Sequence, residues 1–481
     1  MKRIAIVGGG ISGLSAAMTL ERARGEGVLL EYAIFEAGPR LGGVLVTERV
    51  DGCLVEGGPD SFLTEKSWGL DFVREMGLGD QLIGSNDAER KTYILVRGRL
   101  RPIPDGLMFM VPTRIAPIVS SPLFSLGTKV RMAAEYLQRP NSNSGERDQT
   151  VAEMIERHFG PEMVDRLADP LLAGVYGGSA AELSAAAVLP RFVEMEKRYG
   201  SLSRGMLATR RQRARSERGA PAAPPRPLFT SLRDGMQQLV DTVAPRLAGG
   251  AARLGNPVVA LTRQERNWFV APQQGSPEEF DAVILALPAY AAGALLERAG
   301  PELAGELKQV PYSSSITVTL GYDKRDLAAL PPGFGFLVPP SERRRMLACT
   351  FVHVKFPHRA PADRGIIRAF LGGSRDEAVL DLGDDEVLAL VRQNLREILG
   401  LGAEPLFARI YRWRRAMAQY VSGHLARVER VEKLRQQIPG LELAGNAYRG
   451  IGVPDCIASG QQAARNALAR LGVGELQATR K

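Results

Sequence analysis

Cysteine and histidine are scarce in this chain, which has three cysteines and four histidines among 481 residues. Cys53, Cys349 and Cys456 lie far apart, no C-x-x-C pair occurs and no histidine stands at metal-ligand spacing. Neither a disulfide framework nor a zinc site is therefore supported. A reducing compartment fits this composition, and we assign none of the histidines a catalytic role.

Long apolar segments are missing as well. No uninterrupted apolar run approaches the roughly 20 residues of a membrane-spanning helix. The opening MKRIAIVGGG enters a strand directly and has no signal-peptide pattern. We therefore expect a cytoplasmic protein and leave peripheral attachment to a membrane open.

Much of the net charge of +9 comes from one arginine-rich stretch. Residues 210–226 are also rich in proline and alanine, which is typical of a solvated linker. A patch for an acidic partner or an anionic membrane is the alternative, and we expect no nucleic-acid partner. The length and a hydrophobic content of 45% predict a large packed core divided into two or three domains.

The N-terminal segment carries a nucleotide-binding pattern. The apolar run RIAIV suits a buried parallel strand, and helical periodicity follows it. Between them, Gly8 permits a tight turn, Gly10 lets the backbone approach a pyrophosphate and Gly13 lets the helix pack closely. A second strand, LEYAIFEA, contains Glu36 at the place where an acid binds ribose hydroxyls. This combination favours dinucleotide binding over a plain glycine turn.

The segment after Glu36 contains a feature that NAD-binding patterns lack. Arg40 is followed closely by Gly42 and Gly43, and this spacing resembles the flavin-dependent amine oxidase superfamily. An arginine neutralises pyrophosphate charge, and paired glycines let extended FAD lie along the backbone. By resemblance, residues 58–61 (GPDS) lie against the flavin end of the cofactor. FAD is therefore expected rather than NAD.

A second glycine turn lies near the C-terminus, in LELAGNAYRGIGVPDCIASG. It reads as a strand, a turn at residues 450–455 and a helix, with Pro454 suited to the first helical turn. By resemblance this turn meets the flavin ring, and the positive end of the helix faces N1 and O2 of the flavin. Cys456 is interpreted as a packing residue rather than a covalent flavin attachment.

Several segments sharpen the resemblance to the protoporphyrinogen oxidase family, which includes the bacterial coproporphyrinogen III oxidases of haem synthesis. They are DPLLAGVYGGSAAELSA, GFGFLVPP, RAFLGG, WRRAMAQYVSGH and the C-terminal turn. The resemblance implies removal of six hydrogens from a porphyrinogen in three two-electron steps. It also implies that hydride passes to flavin N5 and that dioxygen reoxidises the flavin with release of hydrogen peroxide. The cofactor carries this chemistry, so no catalytic side chain is assigned.

The resemblance also implies the positions of substrate contacts. It places Gly174 at a turn facing the substrate, Leu171 near the macrocycle, and Leu337 and Phe370 as a pair that sandwiches a pyrrole ring. Without the resemblance, these residues read as a helix-ending glycine and three core residues.

The sequence departs from the family pattern at the position expected to bind the substrate carboxylates. Eukaryotic members carry an arginine where an ungapped match places Thr92, so Lys91 and Arg97 both stay open as propionate partners. The cofactor-binding residues implied by the resemblance are Gly8, Gly9, Gly10, Ile11, Ser12, Gly13, Glu36, Ala37, Arg40, Gly42, Gly43, Val44, Gly58, Pro59, Asp60, Ser61, Val258, Trp413, Ile451, Gly452, Val453 and Pro454.

These patterns predict an α/β fold with a discontinuous Rossmann-like FAD-binding domain, a mixed-sheet substrate domain and a mainly helical subdomain. The apolar, proline-interrupted residues 106–137 fit a membrane interface, a substrate channel or the core. The expected boundaries are FAD-binding parts at 1–90, 228–298 and 425–481, a helical substrate or membrane-interface subdomain at 91–210, a basic linker at 211–227 and a substrate sheet at 299–424.

Other functions stay open at this point. A flavin amine oxidase or a carotenoid desaturase would use the same scaffold, and a non-catalytic FAD- or porphyrin-binding partner of the haem pathway is an alternative from a different class. Coproporphyrinogen III carries four propionates and protoporphyrinogen IX two, and the net charge of +9 leans weakly towards the more acidic substrate. A homodimer is expected from the resemblance alone.

Overall fold

The computed structural model describes residues 1–140, 147–216 and 226–473. Most of the expected linker, residues 217–225, and the last eight residues of the chain lie outside this description. The strands are β1 (Lys2–Val7), β2 (Leu30–Phe35), β3 (Thr47–Val50), β4 (Cys53–Glu56), β5 (Phe62–Leu63), β6 (Leu82–Gly84), β7 (Thr92–Val96), β8 (Arg99–Pro102), β9 (Leu107–Met108), β10 (Val111–Pro112), β11 (Phe229–Leu232), β12 (Ala252–Arg253), β13 (Val258–Gln264), β14 (Asn267–Pro272), β15 (Glu278–Phe280), β16 (Ala282–Leu285), β17 (Tyr312–Asp323), β18 (Gly335–Leu337), β19 (Met346–Phe351), β20 (Arg364–Gly372), β21 (Phe407–Ala418) and β22 (Leu441–Leu443).

The helices lie beside the nucleotide-binding sheet, beside a second sheet and in a helical region in the first half of the chain. They are α1 (Ile11–Gly25), α2 (Ser67–Glu75), α3 (Ile115–Ser120), α4 (Leu126–Glu135), α5 (Val151–Phe159), α6 (Pro161–Met163), α7 (Asp169–Tyr176), α8 (Ala185–Val188), α9 (Pro190–Tyr199), α10 (Leu202–Ser216), α11 (Gln237–Val243), α12 (Ala289–Leu295), α13 (Pro301–Lys308), α14 (Val352–Lys355), α15 (Asp384–Leu399), α16 (His424–Gln436) and α17 (Val453–Arg470).

The nucleotide-binding sheet is parallel, with strand order β12-β2-β1-β16-β22. Its strands come from three separate parts of the sequence, which confirms a discontinuous Rossmann-like domain. Both faces of β1 are buried: Ile4 and Ile6 pack into one apolar cluster, while Ala5 and Val7 pack into another. This two-sided burial explains why the strand is apolar throughout.

The second large sheet is mixed, with order β21-β17-β20-β19-β18-β7-β8. Its β18–β7 pair is parallel and the other pairs are antiparallel. One face packs on α15 through an apolar cluster that includes Val387, Val391 and Leu395. The opposite face turns towards the nucleotide-binding domain and carries most of the residues discussed below.

Two expected boundaries differ in the structure. Residues 92–102 form β7 and β8 of the mixed sheet, although we expected them in the helical subdomain. Arg97 and Gly98 both have positive φ values, of 52° and 70°, which close this hairpin with a two-residue turn that sequence periodicity does not reveal. Residues 211–216 continue α10 rather than starting a linker.

The proline-interrupted segment at residues 106–137 is partly core and partly surface. Met110, Leu123 and Met132 are buried in the helical region. Leu126 and Leu137 are 78% and 81% exposed. Within the described ranges, no helix has the length and apolar character that crossing a membrane requires.

Candidate functional site

The N-terminal glycine turn has one open position between two closed ones. Gly8 has a φ of 107°, and a Cβ there would lie 2.3 Å from the carbonyl oxygen of Ala286. At Gly13, a Cβ would lie 1.9 Å from the carbonyl oxygen of Gly8. At Gly10, by contrast, no atom of the described residues lies within 4 Å of a Cβ position, apart from its chain neighbours. The turn is therefore locked by close backbone contacts and open where a pyrophosphate would approach.

Glu36 joins two backbone segments beside this turn. One carboxylate oxygen accepts a hydrogen bond from the N–H of Gly9 and the other from the N–H of Gly38, both at 2.7 Å. The carbonyl of Glu36 accepts from Asn256 N–H at 3.2 Å, two residues before Val258. Glu36 and the start of β13 are thus held together at one end of the site.

Arg40 stabilises its own loop. Its guanidinium donates to the carbonyls of Leu41 at 2.9 Å and Gly43 at 2.5 Å, and it also reaches the carbonyl of Leu45. Gly42 N–H donates to Gly9 O at 2.8 Å, so this loop pairs with the first glycine turn. The structure therefore assigns Arg40 a loop-shaping contact in addition to the phosphate contact expected from the sequence.

The segment expected at the flavin end is fixed to the mixed sheet through the carbonyls of Gly57 and Gly58. The oxygen of Gly57 accepts from Thr317 Oγ1 at 3.1 Å, from an Arg368 Nη at 3.2 Å and from Trp413 Nε1 at 2.9 Å. Arg368 also donates to Gly58 O at 2.6 Å. Trp413 was among the cofactor residues expected from the resemblance. Thr317 and Arg368 were not, although Arg368 is the first residue of the segment RAFLGG.

The next residues of this segment are held by charge. Lys355 Nζ lies 3.0 Å from one carboxylate oxygen of Asp60 and 3.1 Å from Ser61 Oγ. Burial acts to raise the pKa of Asp60, but Lys355 and Arg368 outweigh it and hold that pKa well below its usual range. Asp60 is therefore a carboxylate at neutral pH. Gly58 is enclosed, because a Cβ there would lie 1.9 Å from Val44 O.

The C-terminal turn leads directly into α17. Gly452 precedes the helix, Pro454 lies in its first turn, and Asp455 accepts from Gly452 N–H at 3.2 Å while pairing with Lys66. Burial raises the pKa of Cys456 to about 12, so its thiol stays protonated at neutral pH. The helix N-terminus presents a partial positive charge at this end of the site.

The expected substrate residues meet on the face of the mixed sheet. A Cβ at Gly174 would lie 3.7 Å from Leu337 Cδ2, so α7 contacts β18 here. Leu337 pairs with Ala348, and Ala348 pairs with Phe370. Leu337 and Phe370 are therefore two strands apart on one face, roughly 10 Å between backbones, with a small residue between them.

The remaining substrate residues lie at the margins of this face. Leu171 is half-buried in α7, the helix that also contains Gly174. Lys91 and Arg97 are both exposed at opposite ends of β7, roughly 20 Å apart by strand geometry. One carboxylate cannot contact both of them.

The expected cofactor residues lie on segments of the chain that contact one another. Gly10 forms a backbone bridge with Gly42, and Gly460 of α17 packs on Ser12 of α1. The expected cofactor residues are Gly8, Gly9, Gly10, Ile11, Ser12, Gly13, Glu36, Ala37, Arg40, Gly42, Gly43, Val44, Gly58, Pro59, Asp60, Ser61, Val258, Trp413, Ile451, Gly452, Val453 and Pro454. A parallel sheet with this glycine turn and an acid after its second strand defines a dinucleotide-binding α/β protein.

Comparisons with known proteins agree with this class. The family described as flavin containing amine oxidoreductase matches residues 11–468. Coproporphyrinogen III oxidase of Bacillus subtilis (strain 168) is 34% identical, over 98% of this chain and 98% of that protein. Protoporphyrinogen oxidase 2, chloroplastic/mitochondrial, of Arabidopsis thaliana is 29% identical, over 96% of this chain and 93% of that protein.

Solved structures show the same fold. A crystal structure from Exiguobacterium sp. 255-15, provisionally described as a protoporphyrinogen oxidase, has a TM-score of 0.86 at 33% identity and covers 98% of this chain and 99% of that one. A putrescine oxidase variant, at 19% identity, a TM-score of 0.71 and the same coverage, shares the fold alone. The chain belongs to the flavin containing amine oxidoreductase family. It is an FAD-dependent oxidoreductase.

Proposed function

We propose that this protein oxidises a porphyrinogen to a porphyrin in haem biosynthesis, with dioxygen as the final acceptor, and that coproporphyrinogen III is its substrate. Relatives similar over nearly the whole chain are named coproporphyrinogen III oxidase, in Bacillus subtilis and in Staphylococcus aureus. The observation that carries the proposal is the apolar row on the mixed sheet, next to the FAD-binding region.

The cofactor would be held at both ends by backbone. The glycine turn before α1 and Glu36 bind the ADP half, with Val258 at the adenine. The Gly58–Ser61 segment and the start of α17 bind the flavin half. When bound, FAD supplies a two-electron acceptor for carbon–hydrogen oxidation. The contribution of the chain is to bind, orient and shield the reactants.

The substrate would lie across the row formed by Leu337, Ala348 and Phe370. Because Ala348 is small, a pyrrole ring fits between the two larger side chains with its edge over the sheet. Gly174 leaves space above this row, and Leu171 adds apolar surface beside it. A flat apolar macrocycle would bury these side chains and exclude water from the reacting carbon.

Lys91 and Arg97 would bind separate carboxylates. Each is three residues from Ile94, which pairs with Leu337 on this face, and each lies just beyond an end of β7. Their side chains would therefore reach the substrate around the strand ends rather than from the face itself. A substrate with carboxylates around its rim presents groups in both directions, so the two cations complement it at both ends of β7. Four propionates match this arrangement better than two.

Direct reduction of the protein by its substrate tests the proposed function. Purified, flavin-loaded protein mixed anaerobically with coproporphyrinogen III should lose its yellow absorbance while porphyrin fluorescence develops. Amines or a carotenoid precursor should leave the flavin oxidised. Bleaching by an amine with none by porphyrinogens would identify an amine oxidase, and no bleaching by any of these compounds would favour a non-catalytic partner.

We also propose peripheral binding to an anionic membrane surface. It is supported by exposed apolar side chains on and just after α4, namely Leu126, Val130 and Leu137, with the cations Lys129 and Arg131 beside them. On resemblance alone, we also propose that the protein is a cytoplasmic homodimer. Sedimentation equilibrium would measure its stoichiometry.

A further inference from the structure

A small cavity lies beneath the Gly58–Ser61 segment, between this segment and the mixed sheet. Its volume is about 10 Å³, which is space for one particle near the size of water. The polar residues that line it are Glu56, Asp60, Thr319, Arg359 and Arg368, and apolar side chains complete the wall. Charged groups are rarely buried without partners, so this lining requires an explanation.

The charges around the cavity do not balance. Arg359, Arg368 and Lys355 are 0%, 4% and 8% exposed and supply three positive charges. Glu56 and Asp60 supply two negative charges at most, since burial raises the pKa of Glu56 even though Arg359 opposes that shift. At least one of the buried positive charges is therefore not balanced by these two carboxylates.

The nearest further charges do not remove this excess. Arg49 and Asp234 both interact electrostatically with Arg359. They pair with each other at 2.5 Å on the surface, so together they add almost no net charge near the cavity. An uncompensated buried charge is costly, and a bound counter-ion is one way to remove the cost.

Several hydrogen-bond donors at the cavity also lack acceptors. Arg359 uses one Nη to reach Ser231 Oγ at 2.6 Å and Glu56 at 3.0 Å, but its Nε and other Nη have no partner among the described residues. Within the same part of the chain, the Nε of Arg368 and the hydroxyl of Thr319 have none either. All four atoms are buried and belong to residues that line this one cavity.

We propose that this cavity binds a small monovalent anion of the chloride class. An anion accepts hydrogen bonds from both arginines and from Thr319, and it also cancels the excess charge. A water molecule would satisfy some of the donors but would leave the charge in place. The bound anion fixes Arg368, which in turn holds the carbonyls of Gly57 and Gly58. This inference does not depend on the identity of the substrate.

Bromide is a direct probe of the site. Flavin-loaded protein crystallised with sodium bromide should give an anomalous peak inside the cavity, beside Arg359 and Arg368. Chloride or bromide should also raise the melting temperature by about 2 °C or more over acetate or gluconate at equal ionic strength. Ordered water at this position in bromide, with no halide-specific stabilisation, would overturn the proposal.

Two variants separate the site from general salt effects. Arg359→Met removes the excess charge and should abolish the halide-specific shift. Arg345→Met removes an arginine whose partner is Asp376, away from the cavity, and should keep the shift. Halide dependence that survives in Arg359→Met would contradict the site. If Arg359→Met does not fold, Thr319→Val removes one donor and should weaken halide binding at least several-fold.

Discussion

The backbone carbonyl of Ser12 in α1 faces Gly460 in α17 so closely that a Cβ at Gly460 would lie 1.9 Å from the carbonyl oxygen. The hydroxyl of Ser15 also donates to Ile457 O at 3.0 Å across the same contact. The helix of the first glycine turn and the helix of the last one are therefore packed against each other. This contact explains how two distant segments can form one cofactor site.

Gly460→Ala should destabilise the protein and weaken FAD retention. In an exposed helix, glycine to alanine normally adds up to about 1 kcal/mol of stability. Here the methyl group would push α17 away from α1, and overpacking of this kind costs about 1–3 kcal/mol. Chemical denaturation and flavin content after gel filtration measure both effects. Gly305→Ala in α13 is the control, because no atom lies within 4 Å of its Cβ position.

Gly174→Ala should impair porphyrinogen turnover and leave FAD bound. The added methyl group meets only Leu337 Cδ2, at 3.7 Å, so the fold accepts it while the space above the apolar row shrinks. We expect kcat/KM to fall about tenfold or more, equivalent to about 1.4 kcal/mol. Gly127→Ala, in open space on α4, is the matched control. Flavin loss from the Gly174 variant would argue against its placement on the substrate side.

A buried histidine in the helical region predicts a specific pH dependence of stability. Both ring nitrogens of His158 lie 3.0 Å from carboxylate oxygens, one of Glu135 and one of Glu196. Burial acts to lower the pKa of His158, but hydrogen bonds to the two carboxylates outweigh it and the net shift is upward. For Glu196, burial acts to raise the pKa, and His158 and Arg157 lower it to about 2.

The sign of each contribution follows from linkage. The raised pKa of His158 stabilises the fold fully below its unfolded pKa of about 6.5, and this contribution is lost as pH rises through the folded pKa. The lowered pKa of Glu196 stabilises the fold fully when the pH is above the unfolded pKa of about 4.3. This contribution is lost as pH falls through the folded pKa of about 2. The two contributions are therefore both complete only between about pH 4.3 and 6.5.

His158→Gln should remove the decrease in stability that His158 causes as pH rises above about 6.5. The variant should lose about 3 kcal/mol at pH 6, because buried Glu135 loses its cationic partner and Glu196 keeps only Arg157. Its unfolding free energy should then depend less on pH between 6.5 and 9 than that of the unmodified protein. His358→Gln is the control, since burial lowers the pKa of His358 to about 4 and the folded protein holds it neutral throughout this range. Parallel profiles for the His158 variant and the unmodified protein would contradict the assignment.

If the protein binds anionic membranes through α4, substitutions on that surface should change its flotation with lipid vesicles. Replacing Leu126, Val130 and Leu137 with serine should abolish co-flotation with anionic vesicles, because it removes the exposed apolar contacts next to Lys129. The control is Val259→Ser, which removes an apolar side chain that is 58% exposed on β13. Unmodified protein that fails to float with anionic vesicles would exclude this part of the proposal.

The parallel sheet and its glycine turns could be predicted from the sequence because their geometry depends on residues close together in the chain. Gly13 packs on the carbonyl of Gly8, and Glu36 accepts from the N–H groups of Gly9 and Gly38. The three donors at Gly57 O could not be predicted, since Thr317 and Arg368 are single positions on strands whose register forms only in the folded sheet.

The buried charged residues around the cavity could not be predicted from the sequence for a similar reason. Nothing in the local sequence around Glu56, Lys355 and Arg359 indicates that these charged residues are buried. The β7–β8 hairpin was also missed, because its turn places an arginine at positive φ, which arginine rarely adopts.

The comparison of two porphyrinogens with one enzyme preparation tests the central claim most directly. Oxygen consumption and porphyrin fluorescence would be followed with coproporphyrinogen III and with protoporphyrinogen IX under identical conditions. We predict that both measures rise together and that kcat/KM is at least tenfold higher for coproporphyrinogen III, because Lys91 and Arg97 find carboxylates at both ends of β7. Oxidation of neither porphyrinogen by flavin-loaded protein would contradict the proposed function, and a preference for protoporphyrinogen IX would contradict the proposed substrate.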